Sequence, residues 1–228
     1  MEKIDANPTK GFFIDMLTRD IKLERAIIDL IDNSIDGARH TKSKEGFENF
    51  KVELTINKDY FEIKDNCGGI SLDTALNHAF RFGRPSDAQT VNHSIGRFGV
   101  GMKRALFKIG EEFTIESKHG QDHFLININV EQWVQNDNWE FEYKNVEGKS
   151  DKLTQDGTYI KVEKLHDNIA SEFDLPPFVN NLNTDITRTL SYIINQGLKI
   201  MVNDLSLESE EVEILTSETI KRISSKKG

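Results

Sequence analysis

A chain of 228 residues with 38 acidic and 29 basic side chains carries a formal charge of −9, which makes it a poor candidate for tracking nucleic-acid phosphates nonspecifically, because that needs clustered Lys and Arg, here available only from a local patch or another part of the protein. The length supports one good hydrophobic core, and one large α/β domain is the simplest count. A single cysteine, Cys67, excludes an intramolecular disulfide and a cysteine-held zinc; no apolar run reaches the roughly 18 residues of a membrane span, and the N-terminus lacks the order of a signal peptide, so a soluble cytoplasmic protein without membrane contact is expected.

After a short polar lead, residues 20–39 read as a helix. At ~100° per residue, Asp29, Asn33 and Asp36 fall within about 60° of one another, with Asp32 at the flank. Ile27, Ile28, Leu30, Ile31 and Ile35 take the rest of the circumference, so most of the helix is expected to be buried. No lysine lies between Arg25 and Arg39. The polar stripe is either an ordinary solvated face or a face turned to a bound cation and its anionic ligand.

Residues 41–46 read as a loop. Residues 52–56 and 60–64 alternate apolar with polar and read as a hairpin around Asn57, Lys58 and Asp59. Residues 65–70 (Asp-Asn-Cys-Gly-Gly-Ile) leave the second strand directly, and Ser71 caps a helix that runs to Phe80. From 83 to 94 the chain is polar and without period, which predicts a mobile loop. A glycine-initiated helix follows over 99–109. Strands are expected near 113–118, 123–130, 139–144 and 157–164, a helix near 178–195, a last strand over 198–202 and a loose tail from 217. Such an order predicts a helical layer on one face of a mixed sheet.

Two stretches carry chemistry. Asp65 ends a strand and precedes Gly68 and Gly69, which suits an ordinary turn, or an acid that accepts a hydrogen bond from an exocyclic amine while the glycines leave room for a flat ring. Gly96, Gly99 and Gly101 precede a helix whose free N–H groups and dipole favour a phosphate chain. No Gly-Lys-Ser/Thr ends this stretch as in a Walker loop, and no hydrophobic strand leads into it as in a Rossmann turn. His78, His93 and His119 lack metal-ligand spacing.

In order and spacing these elements resemble the GHKL ATPases, the family that includes DNA gyrase, the ninety-kilodalton heat-shock chaperones, MutL-type repair proteins, MORC proteins and sensor histidine kinases. Residues 29–36 look like its asparagine box, 65–70 like its first glycine box, 96–101 like the glycine-rich end of its ATP lid, and 155–162 like its last box. The lid looks closest to MORC and chaperone types. The resemblance spans roughly residues 10–205 and implies a Bergerat fold: an α/β (α+β) two-layer sandwich with a mixed, mostly antiparallel sheet and helices on one face. It places the ATP-binding domain over 1–205 and a tail, or the start of a following domain, over 206–228.

By resemblance, Asn33 is the Mg²⁺ ligand, Asp65 binds the adenine amino group with Thr158 nearby, and Gly96, Arg97, Phe98, Gly99, Val100 and Gly101 form the phosphate-binding lid. Asp36, Gly69, Ile70 and Met102 also line the nucleotide. Lys103 either pairs with phosphate or is exposed, while Arg81, Arg84 and Arg97 flank the lid and are expected to face solvent. Asp29 holds the position of the general base. Two departures stand out: Asp29 replaces the family's usual glutamate, and Cys67 replaces its first box glycine. The implied function is Mg²⁺-dependent ATP binding with slow hydrolysis to ADP, driving lid closure and homodimerisation, with a protein client or DNA reached through further domains. An ATP-gated binding module with little hydrolysis is the alternative. A kinase reading is weaker, since only about 20 residues precede the first-box helix.

Overall fold

The computed structural model describes residues 4, 6–41, 46–82 and 100–209. Strands form at β1 (Lys51–Ile56), β2 (Phe61–Asp65), β3 (Gly110–His119), β4 (Asp122–Asn129), β5 (Tyr143–Asn145), β6 (Gly157–Leu165), β7 (Lys199–Val202) and β8 (Leu205–Leu207). They make one eight-stranded sheet in the order β5-β4-β3-β6-β2-β1-β7-β8. Only β1 with β7 is a parallel pair, so the sheet is mixed and mostly antiparallel.

Alternation of side chains across a strand explains which face is covered. Leu54 pairs with Ile63, Ile63 with Ile160, Ile160 with Ile115, and Ile115 with Ile126, giving one buried row across five strands. The next row runs Ile56, Phe61, Val162, Phe113 and Ile128. These rows share a single core with α2 (Leu23–Thr41), α4 (Gly101–Ile109) and α7 (Pro176–Thr189), through residues such as Ile27, Ile31, Leu106, Ile109 and Leu182. The opposite face carries Glu62, Lys161 and Glu163, with Tyr159 donating to Glu62 and Lys161 to Glu163.

Several elements differ from the pattern read along the chain. A further helix, α1 (Lys10–Thr18), precedes α2, its start capped by Thr9. Its anchor is tertiary: buried Lys10 donates to the carbonyls of Trp133, Asn136 and Asn138 at 2.6 Å each, and its ammonium lies 4.1 Å from the Trp133 ring centroid. The helix capped by Ser71, α3 (Leu72–Thr74), widens into a π-helical turn over Ala75–Ala79. Two short helices, α5 (Val130–Gln135) and α6 (Asp167–Phe173), add to those expected. The expected 178–195 helix starts earlier, at a proline suited to a first turn, and breaks at Leu190 into α7 and α8 (Ser191–Asn195). β5 is shorter than 139–144 because Trp139 and Phe141 pack against Trp133. The sheet continues past 205 through Leu207, which pairs with Ile200. The loop read over 83–94 and the tail from 217 lie outside the described residues. No helix among the described residues is long and apolar enough to cross a membrane.

Candidate functional site

Asp65 ends β2 opposite Val52, two residues past Ile63, so it sits on the core face of the sheet. Thr158 and Ser117, paired with each other on β6 and β3, continue its row. A polar row thus caps the hydrophobic ones, which is why the acid is buried, at 8% exposure. Asp65 Oδ1 accepts from the N–H of Cys67 at 2.8 Å and of Thr158 at 3.2 Å. Its Oδ2 accepts from the Ser34 hydroxyl of α2 at 2.7 Å. A carboxylate offers about four acceptor sites, so one remains for an incoming donor. Ser117, fully buried, accepts from the Ile70 N–H at 2.7 Å and fixes the chain leaving the turn.

Burial pushes the Asp65 carboxyl above its ordinary range, against the opposing pull of the Cys67, Ser34 and Thr158 hydrogen bonds. A raised folded-state pKa means that, at pH values between the unfolded and the folded pKa, the folded protein holds a proton which the unfolded chain has released, so this group's contribution to stability is full below the unfolded value of 3.8 and is lost as pH rises through the folded one. Urea unfolding of wild type and Asp65→Asn at a series of pH values should show the variant gaining on the wild type as pH rises from about 4 and the gain then levelling off; a constant difference would contradict the assignment.

Between Asp65 and α3 the chain turns at Gly68, φ +100, and Gly69, φ +67. A side chain at Gly69 would collide with the Lys118 carbonyl, and one at Gly68 with the Thr41 hydroxyl. Cys67 needs no such freedom. Its carbonyl lies 2.6 Å from where a Cβ on Gly37 would sit, so α2 presses directly on the turn. Burial first, and the Asp65 charge second, push its thiol well up, which leaves a small inert side chain.

On α2, Asn33 is exposed although Ile31, Asp32, Ser34 and Ile35 around it are buried, and its carboxamide makes no hydrogen bond to a described residue. The flanking acids are engaged. Asp29 Oδ1 lies 2.9 Å from Arg25 Nη2, and Asp29 Oδ2 lies 2.6 Å from Arg104 Nη2 of α4. Asp32 is 3.2 Å from Arg25, Asp36 is 3.2 Å from Arg39, and burial above all raises the Asp32 carboxyl. The stripe is therefore not an ordinary solvated face: with Asp29 and Asp32 side chains each only 12% exposed, arginines replace bulk water.

Val100 precedes α4 without a side-chain cap, and the first intrahelical bond runs from Arg104 N to the Val100 carbonyl. The N–H groups of Gly101 and Met102 have no acceptor within the helix. Gly101 faces Asp29, whose Oδ2 lies 3.9 Å from where a Cβ on that glycine would stand. Met102 is half-buried against the core. Lys103 is neither exposed nor open: at 2% exposure it donates to the Ala79 carbonyl at 2.6 Å and lies 5.6 Å from the Phe82 ring centroid, and burial lowers its ammonium to about 8. Arg81 is exposed. Gly96, Arg97, Phe98 and Gly99, with Arg84 and His93, lie outside the described residues.

The fold thus brings Asp65, Thr158, Gly69 and Ile70 together, and Asp29 together with Gly101, with α2 joining the two groups through Ser34. Ser34, Ser117 and Arg104 were not singled out along the chain; the visible signals were a serine between Asn33 and Ile35 on the helix and a serine at an inward strand position. Among the described residues no group of three or more His, Cys, Asp or Glu could hold a metal ion. A family model described as histidine kinase-, DNA gyrase B- and HSP90-like ATPase matches residues 21–159, more than half of the chain. No curated protein matches it.

Proposed function

The chain belongs to the histidine kinase-, DNA gyrase B- and HSP90-like ATPases, a membership that implies ATP binding, and from that premise we propose that it binds Mg²⁺-ATP between α2, the Asp65 turn and the start of α4, and hydrolyses it slowly. The observation that carries this reading is the buried Asp65 carboxylate with one acceptor site left, tied through Ser34 to the helix that presents Asn33. In this reading Asp65 accepts the adenine amino group, while Gly69, Ile70 and Thr158 shape the slot for the ring. Val100, Gly101 and Met102, with Gly96, Arg97, Phe98 and Gly99 before them, receive the phosphates at a helix start where dipole and free N–H groups favour anions. Asp36 supports the stripe through Arg39. Lys103 lies in the first turn of the same helix, where its ammonium donates to the Ala79 carbonyl.

Mg²⁺ fits the residues present. Asn33 offers a hard carboxamide oxygen that is exposed and unpartnered by described residues, and one protein oxygen suits an ion that keeps waters and takes its other ligands from phosphates. Such an ion would neutralise phosphate charge during hydrolysis. Asp29 would orient the attacking water and take its proton. Nucleotide-driven lid closure and pairing of two such domains follow as the mechanical output, with client or DNA contacts supplied elsewhere. A second reading, an ATP-gated module that hardly hydrolyses, is favoured by one observation: both Asp29 oxygens are held by arginines.

Calorimetry tests the site. Saturable one-to-one binding of ATP with Mg²⁺, at least about tenfold tighter than GTP, is expected, because guanine presents a carbonyl where adenine presents an amine and that carbonyl would face a carboxylate. Equal affinity for ATP and GTP would refute the role of Asp65.

A further inference from the structure

We propose that Arg104 senses the terminal phosphate of the nucleotide, and that Asp29 holds it in reserve until that phosphate arrives. This rests on the ATP reading of the site and adds to it the residue that distinguishes ATP from ADP.

Four features of the side chain point to this role. First, its guanidinium touches Asp29 through one nitrogen only, Nη2 to Oδ2 at 2.6 Å. A guanidinium is a planar fork of five N–H donors matched to the paired oxygens of a phosphate. A single-nitrogen contact leaves most of that fork unused by the described residues. Second, its Nε is buried without a hydrogen-bond partner among the described residues, a state that costs free energy until a partner is supplied. Third, about a third of the side chain, 33%, stays exposed, so an incoming anion has access. Fourth, Arg104 follows Gly101 by three residues and shares its helix face, and both converge on Asp29 Oδ2.

The guanidinium therefore stands beside the α4-start N–H groups that lack an acceptor within the helix, where the phosphate chain is assigned. A terminal phosphate carries more charge and more acceptor oxygens than one oxygen of a carboxylate, and it competes for the same cation. Asp29 is not left as an isolated charge when Arg104 moves, because Arg25 still holds Oδ1 at 2.9 Å. Oδ2 is then free to accept a hydrogen bond from water. The two arginines have different tasks: Arg25 keeps the carboxylate in place, and Arg104 covers its second oxygen only while no terminal phosphate is bound. ADP ends one phosphate short and leaves Arg104 on Asp29, so the base stays covered after hydrolysis.

Calorimetric titration of wild type, Arg104→Gln, Arg25→Gln and Asp29→Asn with ATP and with ADP, each with Mg²⁺, tests this. Arg104→Gln should bind ATP about tenfold or more weakly and ADP within about twofold of wild type, the loss expected for a charged hydrogen bond made to ATP alone. Arg25→Gln should leave the ATP-to-ADP affinity ratio unchanged. Asp29→Asn, which releases Arg104 from its competitor, should raise that ratio. Circular dichroism confirms that each variant is folded; if Arg104→Gln is not, Arg104→Lys, which keeps the charge but loses the fork, should lower the ratio in the same direction. An unchanged ratio in Arg104→Gln, with a wild type that binds both nucleotides, would overturn the role of Arg104 alone. A wild type that binds neither nucleotide would overturn the ATP reading beneath it.

Discussion

Asp65→Asn is expected to bind ATP at least about a hundredfold more weakly than wild type while unfolding at the same temperature or a higher one. The two halves of this result have separate causes. In the folded protein the asparagine oxygen still accepts from Cys67 N and Thr158 N, and its amide can donate to the Ser34 hydroxyl, so no buried group loses its partner. A buried charge is also removed, and desolvation is the largest influence on that charge. Stability therefore holds or improves. Toward the nucleotide the change reverses an acceptor into a donor, and an adenine amine then meets an amide N–H in a site with little water to relieve it. Calorimetry for affinity and a thermal melt for stability check both halves. Unaltered ATP affinity would mean that the adenine lies elsewhere, and a large drop in melting temperature would mean that the carboxylate is a structural necessity.

Asp29→Asn is expected to lower single-turnover ATP hydrolysis by about 10²–10⁴-fold, the range that a positioned general base contributes, with ATP still bound. The amide keeps the size of the side chain but cannot take a proton from water. Aspartate is one methylene shorter than the usual glutamate of this family, and both its oxygens carry arginines, so wild-type turnover should itself be slow. Phosphate release from enzyme in excess over ATP, measured for wild type and variant, separates the readings. Equal rates in the two proteins would remove Asp29 from the chemistry, and a wild type that binds ATP yet releases no phosphate would establish the gated module instead.

What the chain discloses depends on how local each cause is. The β1–β2 hairpin and the helix bearing Asn33 follow from period and turn residues a few positions apart, and both are found. The turn at Gly68 and Gly69 was also readable, because a positive φ selects glycine. Asp65 is different. Its burial depends on β2 lying beside β6, and β6 beside β3, which aligns Thr158 and Ser117 with it from far along the chain. The Arg104–Asp29 contact joins residues 75 apart, and the Lys10 clamp that secures α1 reaches residues 123 to 128 away. No helix or strand period reports such distances. Lys103 shows the same limit: lysine is almost never fully buried unless paired, and the packing of α4 beside Ala79 and Phe82 turns it inward.

The most direct test of the central claim is a crystal structure with a non-hydrolysable ATP analogue and Mn²⁺ in place of Mg²⁺, read by the anomalous signal of the metal. The account predicts the adenine amine within hydrogen-bond distance of Asp65, the phosphates against the start of α4, and the metal about 2.1 Å from the Asn33 carboxamide oxygen. A base bound away from Asp65, or a metal with no contact to Asn33, would contradict it.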